Sequence, residues 1–387
     1  MFFLTEQDPN FRIKGSRDPL GFQTIWQSLG RNVIKYLSTV SNNLKDFQVL
    51  SYAWYFYGDR DPNHFLKFFY KFEQACGFAR GEYIKDDRFN GIDFVRKNLE
   101  NNSFTFSTRN QDALLSNQRS YGIFGKYNRP FTEINIKGQE DFYSVMESAL
   151  RSKVDYTELE RKVDKLLSEP VSTASKEDIK IFADILKNIT DKEREFYKKL
   201  LLQVDGSHVQ NELFDLFQNN SELYESDSFN LYSFIDALMQ KDISEELEQE
   251  LVEIKKSEQV LTPYVYLFKN LQSKPFWEYS QIDIEPIFNS FPKSFDHDYR
   301  KDVLQQLNIN LGEKNTLIST TVVRRNIDVC KKRGNSPWIK IEDDKLMICY
   351  ADGSKIFTEF NKETDFEHNY FLPSYISMYK QIMLKKI

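Results

Sequence analysis

Apolar residues recur every three or four positions along most of this chain, the spacing of one buried helix face. In TIWQSLGRNVIKYL, residues 24–37, Ile25, Trp26, Leu29, Val33 and Leu37 share a stripe while Arg31 and Lys35 fall opposite. That pattern predicts an amphipathic helix. Ser41 is placed to cap a second helix carrying Leu44, Phe47, Leu50, Trp54 and Tyr57. After the GDRDPN break, Asp61 and Pro62 suit the start of a third, because proline loses nothing at the first helical position. Phe65, Phe68, Phe69, Phe72, Cys76 and Ala79 give that helix an aromatic ridge. Asn110 is a candidate cap for a helix beginning QDALL, with Leu114 and Leu115 inward, and Gly122 and Gly125 weaken any continuation.

From Gln139 to about Gln272 the same period continues through YTELERKVDKLL, KEDIKIFADILKNI, DKEREFYKKLLLQV, VQNELFDLFQN, FNLYSFIDALMQ and ISEELEQELVEIKK. Consecutive helices of this kind predict a bundle or an irregular solenoid; no repeat of fixed length marks a TPR or HEAT array. In the last segment Ile243, Leu247, Leu251 and Ile254 form the inward stripe, which leaves the glutamates on a solvated face suited to a basic protein partner. A di-iron bundle would need Glu-x-x-His pairs, and no histidine lies nearby.

The pattern changes towards the C-terminus. NTLISTTVVRRNIDVCKKRG reads as a helix ending at Gly334, and PWIKIE, LMICYA and SKIFTEF alternate as three strands of a meander. On the helix, Ile318, Val322 and Cys330 fall on one side, with Arg324, Arg325, Lys331 and Lys332 roughly opposite and Arg333 just beyond. A basic helix followed by a hairpin is the order of a winged helix, whose helix enters the major groove. Asp328 sits amid the basic face, where it would oppose phosphate. The expected fold is mainly α. A helical domain at 1–137 and an acidic helical domain at 138–272 precede a small α+β domain, winged-helix-like in its order, at 273–387.

Charge sharpens this division. The net charge is −6, but the three zones 1–137, 138–262 and 263–387 carry +5, −13 and +2. Basic ends around an acidic middle point to nucleic acid at the ends and protein in the middle. Aromatics make up 15% of the chain, so the cores lean on large flat rings; 14 glycines and 11 prolines leave few turns. Cys76, Cys330 and Cys349 have no CxxC spacing, which suits a reducing compartment. The N-terminal MFFLTEQDPNFRIKG lacks the apolar run of a signal peptide, and FQVLSYAWYFYG is too short for a membrane span. These features predict a cytoplasmic protein with no membrane partner.

Two further segments combine cations with features that suit nucleic acid. FRIKGSRDPLGFQ sets Arg12, Lys14 and Arg17 around a glycine and a Pro-Leu-Gly turn, without the spacing of a P-loop. The plainer account is an extended lead-in whose arginine pairs with a neighbouring acid. In LLSNQRSYGIFGKYNRPFTEINI, Tyr121, Phe124 and Tyr127 are spaced by three and flanked by Arg119, Lys126 and Arg129. Rings stack on bases while cations follow phosphates, although the same composition fits a helix end docked in a core.

Catalytic candidates are few. Arg60 and His64 resemble ribonuclease pairs of Arg and His at a spacing one residue short, and a histidine at a helix terminus is the more common explanation. Asp296, His297 and Asp298 could ligate a metal, with no second cluster to complete a site. Asp328 with Asp343 and Lys345 is the candidate for a metal-dependent nuclease, since such an enzyme needs carboxylates on a cation and a lysine to orient water. A turn in a hairpin is the simpler explanation of the DDK. No cofactor signature occurs.

GSRDPLGFQ and SNQRSYGIFGKYNRP resemble segments of bacterial accessory subunits of antiphage-defence operons. The resemblance covers at most the first 135 residues and carries no functional residue across. The charge zoning and the lack of a catalytic signature, rather than this resemblance, lead us to expect a non-enzymatic accessory or adaptor subunit of a multiprotein complex. On this expectation the basic ends contact DNA or RNA through Lys14, Arg17, Arg119, Tyr121, Lys126, Tyr127, Arg129, Arg324, Arg325, Lys331, Lys332 and Arg333. The acidic middle would dock a partner such as an ATPase or nuclease subunit. The alternatives are the nuclease and a scaffold that touches no nucleic acid.

Overall fold

A computed structural model describes residues 18–226, 228–288, 315–343 and 345–384. The protein is mainly helical with small antiparallel sheets, as the periodicity predicts. It does not divide into three consecutive zones. One unit comprises Met1–Val33 with Glu225–Tyr370, and the other Ile34–Tyr224 with Phe371–Ile387. Charge zoning misplaces the boundaries because helices distant in sequence share a core. Gln23–Val33 packs on Glu245–Leu271, and Leu372–Met383 packs against Asp191–Tyr197 and Leu44–Tyr57.

In the larger unit the aromatic ridge lies in the core as expected. Phe65, Phe68, Phe69 and Phe72 are buried, and the Trp54 and Phe65 rings stack at 3.6 Å. The helix Leu44–Tyr57 begins two residues later than Ser41 would set it, because Asn43 is its cap, accepting from the Lys45 N–H at 3.0 Å. Gln381 fastens the chain's last helix to this point, accepting from the Leu44 N–H and donating to the Asn42 carbonyl, both at 2.8 Å. Asn110 opens only a single 3₁₀ turn, Asn110–Asp112, and not the expected QDALL helix. The pattern also hides a two-stranded sheet, in which Ser103–Ser107 pairs antiparallel with Val171–Ser175.

Buried charge is concentrated in this unit. Arg80, 1% exposed, donates to Asp46 at 2.5 Å and to Asp86 at 2.9 Å. Glu193 is fully buried, 2.7 Å from the Lys153 ammonium and 3.0 Å from the Gln48 amide. Each pairing matches a group that is costly to bury alone with an opposite charge.

The smaller unit is organised by Glu245–Leu271, a helix of 27 residues, longer than its first segment predicts. Leu247, Leu251 and Ile254 are buried, and the helix runs on through Pro263. It packs on Gln23–Val33 and on Asn315–Lys332. The Gln23 helix ends at Val33 and not Leu37, since Tyr36 adopts a positive φ of 67°. The sheet has three strands, but the third is not SKIFTEF, which forms no strand. Phe276–Glu278 supplies it from before the basic helix and pairs with Lys345–Ile348. Lys345–Ile348 pairs in turn with Ile339–Glu342, so the first strand in sequence lies beside the last.

Candidate nucleic-acid interface

Burial divides the side chains of Asn315–Lys332 by face. Ser319, Val322, Val323, Asn326 and Cys330 are buried, following the helical period, and the valines and cysteine join a core with Leu267, Trp277, Trp338 and Leu346. Arg324, Asp328, Lys331 and Lys332 are exposed. The side chain of Ile318 lies outside the described residues. Gly334 at φ +68° ends the helix where expected, and two lysines in the last turn complement its dipole as well as offering contacts.

Two arginines expected on the contact face are committed elsewhere. The Arg325 Nε donates to the Leu20 carbonyl at 2.5 Å, and its guanidinium stands 5.2 Å from the Phe22 ring; burial holds its pKa below the ordinary arginine value. Arg333 donates to the Asp18 carbonyl at 2.6 Å and to its carboxylate at 2.8 Å. Asp18 thus pairs with Arg333. The Pro-Leu-Gly turn is a clasp on this helix. Gly21 sits at φ +69°, and a Cβ there would meet the Val329 side chain at 2.9 Å. Lys14 and Arg17 lie outside the described residues.

The hairpin after the helix is aligned by a side chain. Asn326 accepts from the Trp338 N–H at 2.9 Å and donates to the Pro19 carbonyl at 3.0 Å. Lys340 is exposed on the first strand of the hairpin, and Ile341 and Phe276 are large apolar residues left open to solvent on the sheet.

The second cationic segment lies in the other unit and is resolved by burial. Residues 114–136 break into the helices Gln118–Tyr121 and Ile123–Glu133. Tyr127 is a core residue, 1% exposed, whose hydroxyl accepts from the Asn43 N–H at 3.0 Å, so it has no ring face for a base. Arg119 and Tyr121 are exposed and Lys126 is partly so; Arg129 pairs with Glu133 at 2.7 Å. The break between the helices is built around Glu73, which accepts from the Ile123 N–H and the Gln118 amide, each at 2.6 Å.

Of the nuclease candidates, Asp343 is exposed in the hairpin turn at φ 44°, and Lys345 lies 3.3 Å from Glu278. Asp296, His297 and Asp298 fall outside the described residues. Among the described residues no three His, Cys, Asp or Glu side chains gather as a metal site. None of the described helices is long and apolar enough to cross a membrane.

Two groupings escape sequence reasoning. Glu258, fully buried, accepts from Tyr370 and Thr262 at 2.8 Å each, and lies 2.8 Å from the His368 ring. A separation of 110 residues leaves no local signal for it. The other adds Lys67 and Lys71 to the Arg60 and His64 noted above, a row whose four-three-four spacing is legible once the aromatic ridge beside it is set aside.

Compared with protein-family models, with curated proteins and with solved structures, the chain matches none.

Proposed function

We propose that the protein is a non-enzymatic, DNA-binding accessory subunit, and that Asn315–Lys332 and the hairpin behind it form its DNA-contacting element. The carrying observation is strand order. The long helix is followed by strand Phe276–Glu278 and, past Glu285–Phe288 and residues 289–314, which lie outside the described residues, by the basic helix and the two hairpin strands, and the first strand bonds to the last. This order supports a winged-helix reading, in which the last helix enters the major groove and the hairpin reaches the backbone. The third strand therefore supports the reading. Arg324, Lys331 and Lys332 on the helix and Lys340 on the hairpin are the exposed cations in place to meet phosphate. Asp328 between them opposes close approach and would help to set register on the duplex.

The acidic part of the reading rests on Glu245, Glu246 and Glu248, all exposed on the first turns of the long helix. Such a face repels nucleic acid and suits a basic protein surface.

The test is binding of labelled duplex DNA between about 50 and 200 mM salt, where each phosphate contact contributes a slope of roughly −0.9 in log K against log salt. The triple variant Arg324→Glu, Lys331→Glu, Lys332→Glu is expected to weaken binding and flatten that slope. No binding by the wild type at low salt, or binding unaltered by the triple reversal, overturns the assignment.

A further inference from the structure

In the larger unit, Arg60, His64, Lys67 and Lys71 help to line an open cleft of about 490 Å³, within the range of pockets that hold small molecules. Tyr57, Phe68, Thr108, Ser168 and Glu169 also line it. We infer that this cleft binds the phosphate group of a nucleotide-sized ligand, with Arg60 and Lys67 as the anion contacts and Lys71 as a fixed cation beneath them.

The arrangement separates cations that hold the fold from those that face the opening. Lys71 is 4% exposed and donates to the Glu169 carbonyl at 2.5 Å, so its charge is locked into the wall. Arg60 is anchored through one nitrogen. Its Nη1 donates to the Phe56 and Tyr57 carbonyls at 2.9 and 2.7 Å, which caps the preceding helix and leaves Nε and Nη2 to present a fork. A guanidinium fork of this kind matches two phosphate oxygens. Lys67 is exposed on the helix between His64 and Lys71. His64 lies 3.2 Å from Asp61. Arg60, Lys67 and Lys71 outnumber the carboxylate of Glu169 in the lining, so the cleft is cationic. Thr108 adds a hydroxyl to the lining, whereas the Ser168 hydroxyl donates to the Asp164 carbonyl at 2.8 Å.

A cleft of this volume is larger than a bare anion needs, which argues for a body attached to the phosphate. Two sources share that chemistry, a free nucleotide and the terminal phosphate of a nucleic-acid strand. The proposed DNA contacts of Asn315–Lys332 belong to the other unit, so either assignment can fail without the other.

The test is calorimetric titration of the full chain with pyrophosphate, AMP and adenosine, followed by a short single strand carrying a 5′-phosphate or a 5′-hydroxyl. Pyrophosphate and AMP are expected to bind and adenosine not. Lys67→Glu, an exposed position that leaves the helix cap in place, is expected to weaken AMP binding by about tenfold or more, which is roughly 1.4 kcal/mol. Arg324→Glu is expected to leave it unchanged. A strand that binds only when phosphorylated identifies a strand end as the source; strands that bind equally poorly beside a binding AMP identify the free nucleotide. Failure of both pyrophosphate and AMP to bind, or equal AMP affinity in wild type and Lys67→Glu, overturns the inference.

Discussion

The side chain of Asn326 accepts the backbone N–H of Trp338 at 2.9 Å, so a buried amide on the basic helix fixes where the hairpin begins. Its other end donates to the Pro19 carbonyl at 3.0 Å, which ties the N-terminal turn to the same helix position. Replacing Asn326 with Leu leaves a buried donor and an acceptor unpaired, and such groups cost about 1–3 kcal/mol each. Asn326→Leu is therefore expected to destabilise this unit by roughly 2–4 kcal/mol in urea unfolding. An Asn326→Leu protein as stable as wild type would show that these two bonds contribute little.

Helix periodicity reveals most of this fold because each helix buries a stripe written in its own residues. Leu247, Leu251 and Ile254 could be placed in a core before any partner was known, and they are buried. Strand Phe276–Glu278 could not, because three residues cannot display an alternation. Its partner Lys345–Ile348 lies nearly seventy residues on, so pairing is information held by the tertiary structure. The unit boundaries were hidden for the same reason. Among the site residues, charge marked Arg324 and Arg325 alike, yet one turned outward and the other toward Leu20. Adjacent positions on a helix differ by about 100° in direction, and only the location of the covering segment decides which of them becomes a strut.

The Glu258 and His368 pair should give this unit a stability maximum between two titrations. Burial works against the charged imidazole, but the Glu258 carboxylate 2.8 Å away outweighs it, and His368 is held above its ordinary value of 6.5. Burial likewise works against charged Glu258, and His368, Thr262 and Tyr370 together hold it below its ordinary 4.5. Glu367 and Asp18 also favour the charged histidine. A raised histidine contributes stability that is complete below 6.5 and is lost as pH rises through the raised value; a lowered glutamate contributes above 4.5 and loses it as pH falls. Thermal melting across pH is expected to fall off on both sides. His368→Gln should remove the alkaline limb, and NMR titration of the imidazole should give a pKa above 6.5. A His368 titrating below that value would contradict the pairing.

Gly122 answers for the awkward join in residues 114–136. A Cβ at this position would lie 2.5 Å from the Gln118 carbonyl oxygen and 2.8 Å from the Glu73 carboxylate. Its φ of −74° is open to any residue, so the constraint is close approach alone. Glu73 cannot retreat without giving up the Ile123 N–H, and burial already pushes its pKa up to about 7. Gly122→Ala is expected to cost about 1–3 kcal/mol, the usual penalty for overpacking. Ser120→Ala, two residues away and exposed, should stay within about 0.5 kcal/mol. Chemical denaturation of both variants checks this, and a Gly122→Ala protein as stable as wild type would mean the helix junction relaxes freely.

Arg324 and Arg325 are neighbours with opposite duties, and that contrast separates binding from stability. Arg325 is more than half withdrawn from solvent, donates to the Leu20 carbonyl and lies over the Phe22 ring. Met in its place would keep much of the alkyl packing but lose the charged hydrogen bond, worth about 1.5–3 kcal/mol. Arg325→Met is therefore expected to lower the stability of this unit by that amount while leaving the salt dependence of DNA binding nearly intact. Arg324→Glu is expected to do the reverse, with an unfolding curve close to wild type and a weakened, less salt-sensitive DNA complex. Urea unfolding and salt-resolved binding on the same two variants give four readings from which the division of labour is judged. If Arg325→Met abolishes the salt slope while Arg324→Glu leaves it unchanged, the outward face of this helix is not the contact surface.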